Sequence, residues 1–168
     1  MSKEKKENNA NKTNAMRLFD AAEVPYTCHS YDTADGRLDG VSVAKKCGQN
    51  PEQVFKTLVT QGKSGKHYVF VIPVGASLDL KKAATVVKEK FIEMLPQREL
   101  LPLTGYIHGG CSPFGMKKQF FTTFEESALL FDTIMVSAGR IGSQIEASPE
   151  AMAELLSPKY ACFADIIS

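Results

Sequence analysis

The sequence predicts an α/β fold, a single domain built on one mixed, curved β-sheet with helices against it. Three observations lead there. Apolar runs with strand character, at residues 53–60, 67–74 and 133–148, share the chain with runs in which apolar residues return at helical spacing. Two of the strand runs flank the short loop Gly62-Lys63-Ser64-Gly65, the pattern of a hairpin. No internal repeat or linker interrupts the 168 residues, a length that suits one domain large enough to bury about two-thirds of its unfolded surface.

The elements follow in order. Residues 1–11 form a charged, Asn-rich tail expected to be disordered, ahead of a domain over residues 12–168. Thr13 is an N-cap candidate for a helix that places Met16, Phe19 and Ala22 on one side and ends at Pro25. Residues 26–32 read as a strand running into an Asp- and Gly-rich turn, and residues 41–47 as a short helix stopped by Gly48. The hairpin over residues 53–74 has a second strand that is apolar on both faces, which places it inside a sheet rather than at the rim. Residues 79–90 carry Leu80, Ala83, Ala84 and Val87 at helical spacing, with lysines opposite. A short strand near residues 91–95 and a turn or short helix at 96–101 come next. Four glycines and a proline break up residues 103–120, which are expected to form two strand fragments around a functional loop. Residues 133–148 read as a second hairpin with Gly139 and Gly142 near its turn. Ser148-Pro149-Glu150 then starts a helix carrying Met152, Leu155 and Leu156, and residues 160–167 add a last apolar segment.

Composition excludes several classes. Hydrophobic residues at 43% and charged residues at 23% are ordinary for a globular protein. The four cysteines contain no CxxC pair, so they form neither a zinc set nor a disulfide framework, and free thiols in a reducing cytoplasm are expected. No apolar run approaches the ~18 residues of a membrane span, and the polar N-terminus does not read as a signal peptide. His29, His67 and His108 lack metal-ligand spacing, and no metal or cofactor is expected. A net charge of +1 demands no polyanionic partner, although totals hide distribution. The doublets Lys45-Lys46, Lys81-Lys82 and Lys117-Lys118, with Lys88 and Lys90, are candidates for a local basic patch; each is also explained as a solvated face.

One residue stands out chemically. In the run 54–60, strand alternation puts Val54, Lys56, Leu58 and Thr60 on one face and Phe55, Thr57 and Val59 on the other. Lys56 therefore lies among apolar neighbours. Either it snorkels from a sheet edge into water, or it points into a cleft to meet an anionic or carbonyl-bearing ligand, since an unpaired buried ammonium costs several kcal/mol. The glycine loops at 109–115 and 137–142 would supply backbone N–H groups at close approach. No GxSxG, Walker or HExxH motif is present.

The blocks KTNAMRLFD, VFKTLV, LKKAA, LTGYIHGGCSPFGMKK and VSAGRIGSQIEASPE stand in an order and spacing that resembles the YbaK/EbsC family, in particular its Cys-tRNA(Pro) deacylase branch. The likeness runs from about Lys12 to the C-terminus. It implies a freestanding relative of the editing domain of bacterial prolyl-tRNA synthetases, with a mixed, barrel-like sheet and flanking helices. The implied activity is hydrolysis of proline tRNA mischarged with cysteine, in the cytoplasm, without cofactor. In the mechanism implied, the cysteinyl sulfur attacks its own ester carbonyl, which suits a chain with no nucleophilic triad. The resemblance makes Lys56 the residue needed for activity and places Tyr31, Gly109, Gly110, Ser112, Pro113, Ser137 and Gly139 around the aminoacyl pocket. The partners implied are the aminoacyl end of the tRNA and a prolyl-tRNA synthetase, with neither membrane nor DNA expected. Gln119 and Ile141 stand where many relatives carry basic residues, which bears on tRNA contacts and not on Lys56. Two other readings stay open: a deacylase for another amino acid such as alanine, and a non-catalytic module that binds tRNA or a synthetase. Cys111 is a rival nucleophile with only His108 nearby as a basic partner.

Overall fold

The computed structural model describes residues 11–37 and 39–168, so the polar tail falls almost wholly outside the described residues. Thr13 caps the first helix as expected, its hydroxyl accepting the Met16 N–H. That helix, α1 (Asn14–Ala21), buries Ala15, Met16 and Phe19, whereas Ala22 lies just past its end and is exposed. Strand β1 (Thr27–Ser30) follows, then α2 (Gly40–Lys46), capped by the Asp39 carboxylate and closed by Gly48 in the left-handed region. A 3-10 turn, Pro51–Gln53, leads into the hairpin of β2 (Phe55–Gly62) and β3 (His67–Pro73).

The hairpin sits where the apolar run placed it, inside a sheet. The five-stranded sheet has the order β4-β2-β3-β5-β8, with β4 (Ile92–Met94), β5 (Phe121–Glu125) and β8 (Ala161–Ala164) completing it. The β2 strand pairs antiparallel with β3 and β4, while β3–β5 and β5–β8 are parallel, so the sheet is mixed. The second hairpin, β6 (Ile134–Ser137) and β7 (Ser143–Ala147), joins β1 in a three-stranded antiparallel sheet. A single parallel bridge between Val54 and Met135 links the two sheets, and this contact takes the place of a closed barrel.

Helix α3 (Leu80–Val87) lays Ala83 and Ala84 on Phe70 and Ile72, covering one face of the larger sheet. The other face packs on the main core, where Phe19, Phe114 and Phe124 are fully buried with Ile134, Val136 and Ile145 of the smaller sheet. Helix α5 (Pro149–Leu156), capped by Ser148, closes that core with Met152 and Leu156.

The region 103–120 departs from the expectation. Thr104 ends a full helix, α4 (Gln97–Thr104), and residues 105–120 contain no strand. Their backbone groups are satisfied locally instead: Tyr106 N–H donates to Thr104 Oγ1, Gly110 N–H to the Ile107 carbonyl and Phe114 N–H to Ser112 Oγ. Gly109 and Gly115 sit at positive φ, which breaks the extended run a strand needs. Ser112 and Phe114 are nevertheless fully buried, so this is a packed loop.

Candidate functional site

Strand β4 covers only Thr60–Gly62 of β2, which leaves the first half of that strand with a free edge. A cleft of about 510 Å³ opens along it, bounded by α2, the start of α4, and residues from both glycine loops. Lys56 is on its wall, half-buried. Lys56 pairs in register with Ile72, and strand alternation gives it the face shared by Leu58, which packs in the cluster beneath α3. Among the described residues its ammonium takes part in none of the four ion pairs. Among the described residues, Lys56 is the cleft's single lysine or arginine and Asp39 its single carboxylate; the latter caps α2 and is held below the usual carboxylate range by its hydrogen bonds from Ser42.

Of the residues expected at the site, Tyr31, Lys56, Gly109 and Ser137 line this cleft together. Gly110, Ser112 and Gly139 do not reach it. Gly110 packs behind, where a Cβ would lie 3.0 Å from the Ile141 nitrogen, so the two glycine loops meet backbone to backbone. Ser112 is fully buried and accepts the Phe114 N–H. Gly139, at φ +103°, presses on the Tyr106 ring and donates its N–H to Ser137 Oγ at 3.1 Å. The amides of Gly110 and Gly139 are therefore already engaged, while Gly109 N–H has no backbone or side-chain acceptor among the described residues.

Two polar lining residues with unpartnered buried atoms were not singled out by the sequence. Gln144 is 4% exposed, and neither its Oε1 nor the Thr57 Oγ1 has a hydrogen-bond partner among the described residues. Buried polar atoms without partners are uncommon, and both of these belong to residues that line the cleft. The alternation in 143–147 gave no reason to separate Gln144 from a solvent-facing residue. Thr57, next to Lys56, looked like ordinary strand filling.

Cys111 also lines the cleft, but its chemistry is passive. It is 8% exposed, and burial pushes its thiol up to about 12, outweighing the opposing effect of Thr104. At neutral pH it is a thiol, not a nucleophilic thiolate. Outside the cleft, Glu125, Glu126 and Asp165 bring carboxylate oxygens within 4.8 Å of one another, and the Lys82 ammonium already pairs with Asp165 at 3.0 Å.

Comparison with known proteins places this chain in a class. Residues 39–155, which carry Lys56 and both glycine loops, match the model of the aminoacyl-tRNA editing domain. The chain belongs to that family and is an aminoacyl-tRNA deacylase, which decides against a non-catalytic binding module. It is 45% identical over 150 residues to EbsC of Enterococcus faecalis, a proposed Cys-tRNA(Pro)/Cys-tRNA(Cys) deacylase by name, covering 89% of this chain and 92% of that one. Among solved structures, the hypothetical protein APE2540 superposes with a TM-score of 0.83 at 18% identity, over 93% of this chain and 100% of the other. A proposed trans-editing enzyme for prolyl tRNA synthetase gives 0.76 at 23% identity, over 94% and 98%. These two likenesses establish the shared fold. Among the described residues, no helix is long and apolar enough to cross a membrane.

Proposed function

We propose that the protein releases cysteine from mischarged Cys-tRNA(Pro), and that Lys56 is the residue on which the reaction depends. What carries the reading is the half-buried ammonium of Lys56, on the cleft wall and in no ion pair among the described residues, in an editing-family chain 45% identical to EbsC. An ammonium so placed favours an anionic or strongly polarised group beside it, and the terminal adenosine's phosphate or ribose supplies one.

A cleft of about 510 Å³ is far roomier than a cysteine side chain needs, so size alone does not select the amino acid. One methylene is worth only about 1–3 kcal/mol of discrimination. A step that uses the substrate's own thiol escapes that limit. The sulfur attacks the ester carbonyl carbon, a C–S bond forms as the C–O bond to the ribose breaks, and the thiol proton ends on the ribose oxygen. The small cyclic thioester then opens with water to give free cysteine. The protein contributes orientation, which accounts for much of the barrier reduction in an intramolecular attack. Gly109 N–H is the donor free to stabilise the developing oxyanion. Tyr31 and Ser137 shape the aminoacyl end of the cleft, with Gly110, Ser112 and Gly139 holding the loops behind it. The near-neutral net charge fits an enzyme that works beside a prolyl-tRNA synthetase in the cytoplasm and draws part of its tRNA selectivity from that partner.

The test is a deacylation panel of Cys-tRNA(Pro), Cys-tRNA(Cys) and Ala-tRNA(Pro) with the wild type, Lys56→Ala and Cys111→Ser. The expected result is turnover of the cysteinyl substrates alone, lowered about 100-fold in Lys56→Ala, or about 2.7 kcal/mol of transition-state stabilisation, and retained in Cys111→Ser. Equal release of alanine would replace the thiol-assisted scheme with direct hydrolysis. Loss of activity in Cys111→Ser with Lys56→Ala intact would overturn both assignments.

A further inference from the structure

At the opposite end of the β2–β3 hairpin from Lys56 lies a second concavity, of about 770 Å³. Its charge comes from three separate segments: Lys66 from the hairpin turn, Lys88 from the end of α3, and Lys118 from the loop before β5. His67 and Phe120 pack edge to face on its wall, with ring centroids 5.7 Å apart. No aspartate or glutamate lines it among the described residues. None of the three lysines belongs to an ion pair among the described residues, and all three are exposed. Glu89, adjacent in sequence to Lys88, is occupied by the Ser64 N–H and hydroxyl and by the Tyr68 hydroxyl. Lys88 itself takes a left-handed backbone, φ +59°, at a helix-end position where glycine is the unstrained choice.

We propose that this groove binds the phosphodiester backbone of the aminoacyl-tRNA substrate, holding the strand that leads to the ester in the Lys56 cleft. The inference rests on the deacylase reading of that cleft. In a chain of net charge +1, three lysines from separate segments with no carboxylate among the groove's described lining residues make the lining itself positively charged. Lysines spread across an open groove on flexible stems suit a row of phosphates better than one fixed phosphate, because each acts as a point charge without fork geometry. Thr60 pairs with Tyr68, so the Tyr68 side of the groove lies on the same sheet face as Lys56 and Leu58; α3 covers Phe70 and Ile72 on that face, so the RNA strand would run around α3 rather than straight across the sheet. Gln61, paired with His67, is five residues along β2 from Lys56, about 17 Å at a strand's rise of about 3.3 Å per residue. A few nucleotides of RNA cover that span.

The test compares wild type with Lys66→Ala/Lys88→Gly/Lys118→Ala in equilibrium binding of uncharged tRNA(Pro) and in deacylation kinetics, across a salt series. The glycine at position 88 relieves the left-handed backbone, and an undiminished Tm shows that the fold is kept. The expected result is a rise of about tenfold in tRNA Kd and in KM near 0.1 M salt, an unchanged kcat, and a salt slope shallower by about 2 on log–log axes. Unchanged Kd, KM and slope in an otherwise active enzyme would overturn the inference. So would intact RNA affinity with loss of binding to a purified prolyl-tRNA synthetase, which would make the groove a protein-docking surface. If the wild type deacylates nothing while the triple variant still loses tRNA, the groove stands and the deacylase reading falls.

Discussion

At the scale of single residues, Gly139 shows how the site's walls depend on a backbone that only glycine holds without strain. Its φ of +103° lies outside the range L side chains readily adopt, and a Cβ there would sit 2.8 Å from Cε1 of Tyr106. That ring is anchored by its own hydroxyl, which donates to the Phe114 carbonyl at 2.6 Å, so it does not swing away freely. Gly139→Ala is expected to destabilise by about 1–3 kcal/mol, lowering the Tm by roughly 2–4 °C for each kcal/mol in a chain of this size. A Tm within a degree of wild type would show that the Tyr106 ring gives way. Gly139 and Lys56 were both legible in the sequence, for different reasons. A lysine inside an apolar strand conflicts with its surroundings, and a glycine after a strand run marks a turn. Their relation was not legible. That Lys56 lies on the open edge of β2 follows from β4 stopping at Thr60, and the length of a neighbouring strand leaves no mark on the lysine's own segment.

At the scale of elements, α1 is more than a cover for the core. Thr13 caps it, accepting the Met16 N–H, and the same hydroxyl donates to the Ala138 carbonyl in the turn between Ser137 and Gly139. Gly115, in the other glycine loop, lies against the backbone of Asn14 and Ala15. The first turn of α1 thus braces both loops that form the cleft. Thr13→Ala removes a cap, at a cost of about 0.5–2 kcal/mol, and also frees the 137–139 turn. The expected outcome is a lower Tm with a raised KM, and recovery of both in Thr13→Ser, which restores the hydroxyl. A Tm loss with unaltered kinetics would confine Thr13 to helix capping. The helices were the readable elements: Thr13 and Ser148 cap where the sequence places them, while Asp39 caps α2 without having been singled out. The expected strand fragments in 103–120 failed because local side-chain and turn hydrogen bonds took the amides a ladder would have used. Pairing order was also hidden. The parallel contacts of β5 with β3 and β8 join segments far apart in the chain, and periodicity identifies a strand without naming its neighbours.

At the scale of the whole molecule, the two sheets share the main core, and beside that apolar packing lies a polar connection between them. Next to the Val54–Met135 bridge, the Gln53 side-chain amide donates to the Thr133 carbonyl at 2.7 Å. The Thr133 hydroxyl donates to Glu146 on β7, and Glu146 also meets His29 Nε2 on β1 at 2.7 Å. This chain of contacts runs from the entry to β2 across the smaller sheet, so the charge on Glu146 bears on how the sheets hold together. The hydrogen bond from Thr133, then that from His29, holds the Glu146 carboxyl below its ordinary value of 4.5. A carboxyl held low in the folded state binds its proton more readily when unfolded. Its contribution to stability is therefore complete above the ordinary value and is lost as the pH falls from about 4.5 through the folded value. The carboxyls of Asp35, Asp39 and Glu89 are lowered in the same direction and add to the trend. The Tm is expected to hold through the neutral range and to decline once the pH drops below about 4.5. Glu146→Gln should start from a lower Tm at neutral pH and decline less steeply in acid, because the titrating group is gone. If the variant kept the full acid slope, the acid sensitivity would belong to the surface carboxylates, and the contact between the sheets would depend on the apolar packing of Val54 and Met135 with Ala44 and Val74 instead.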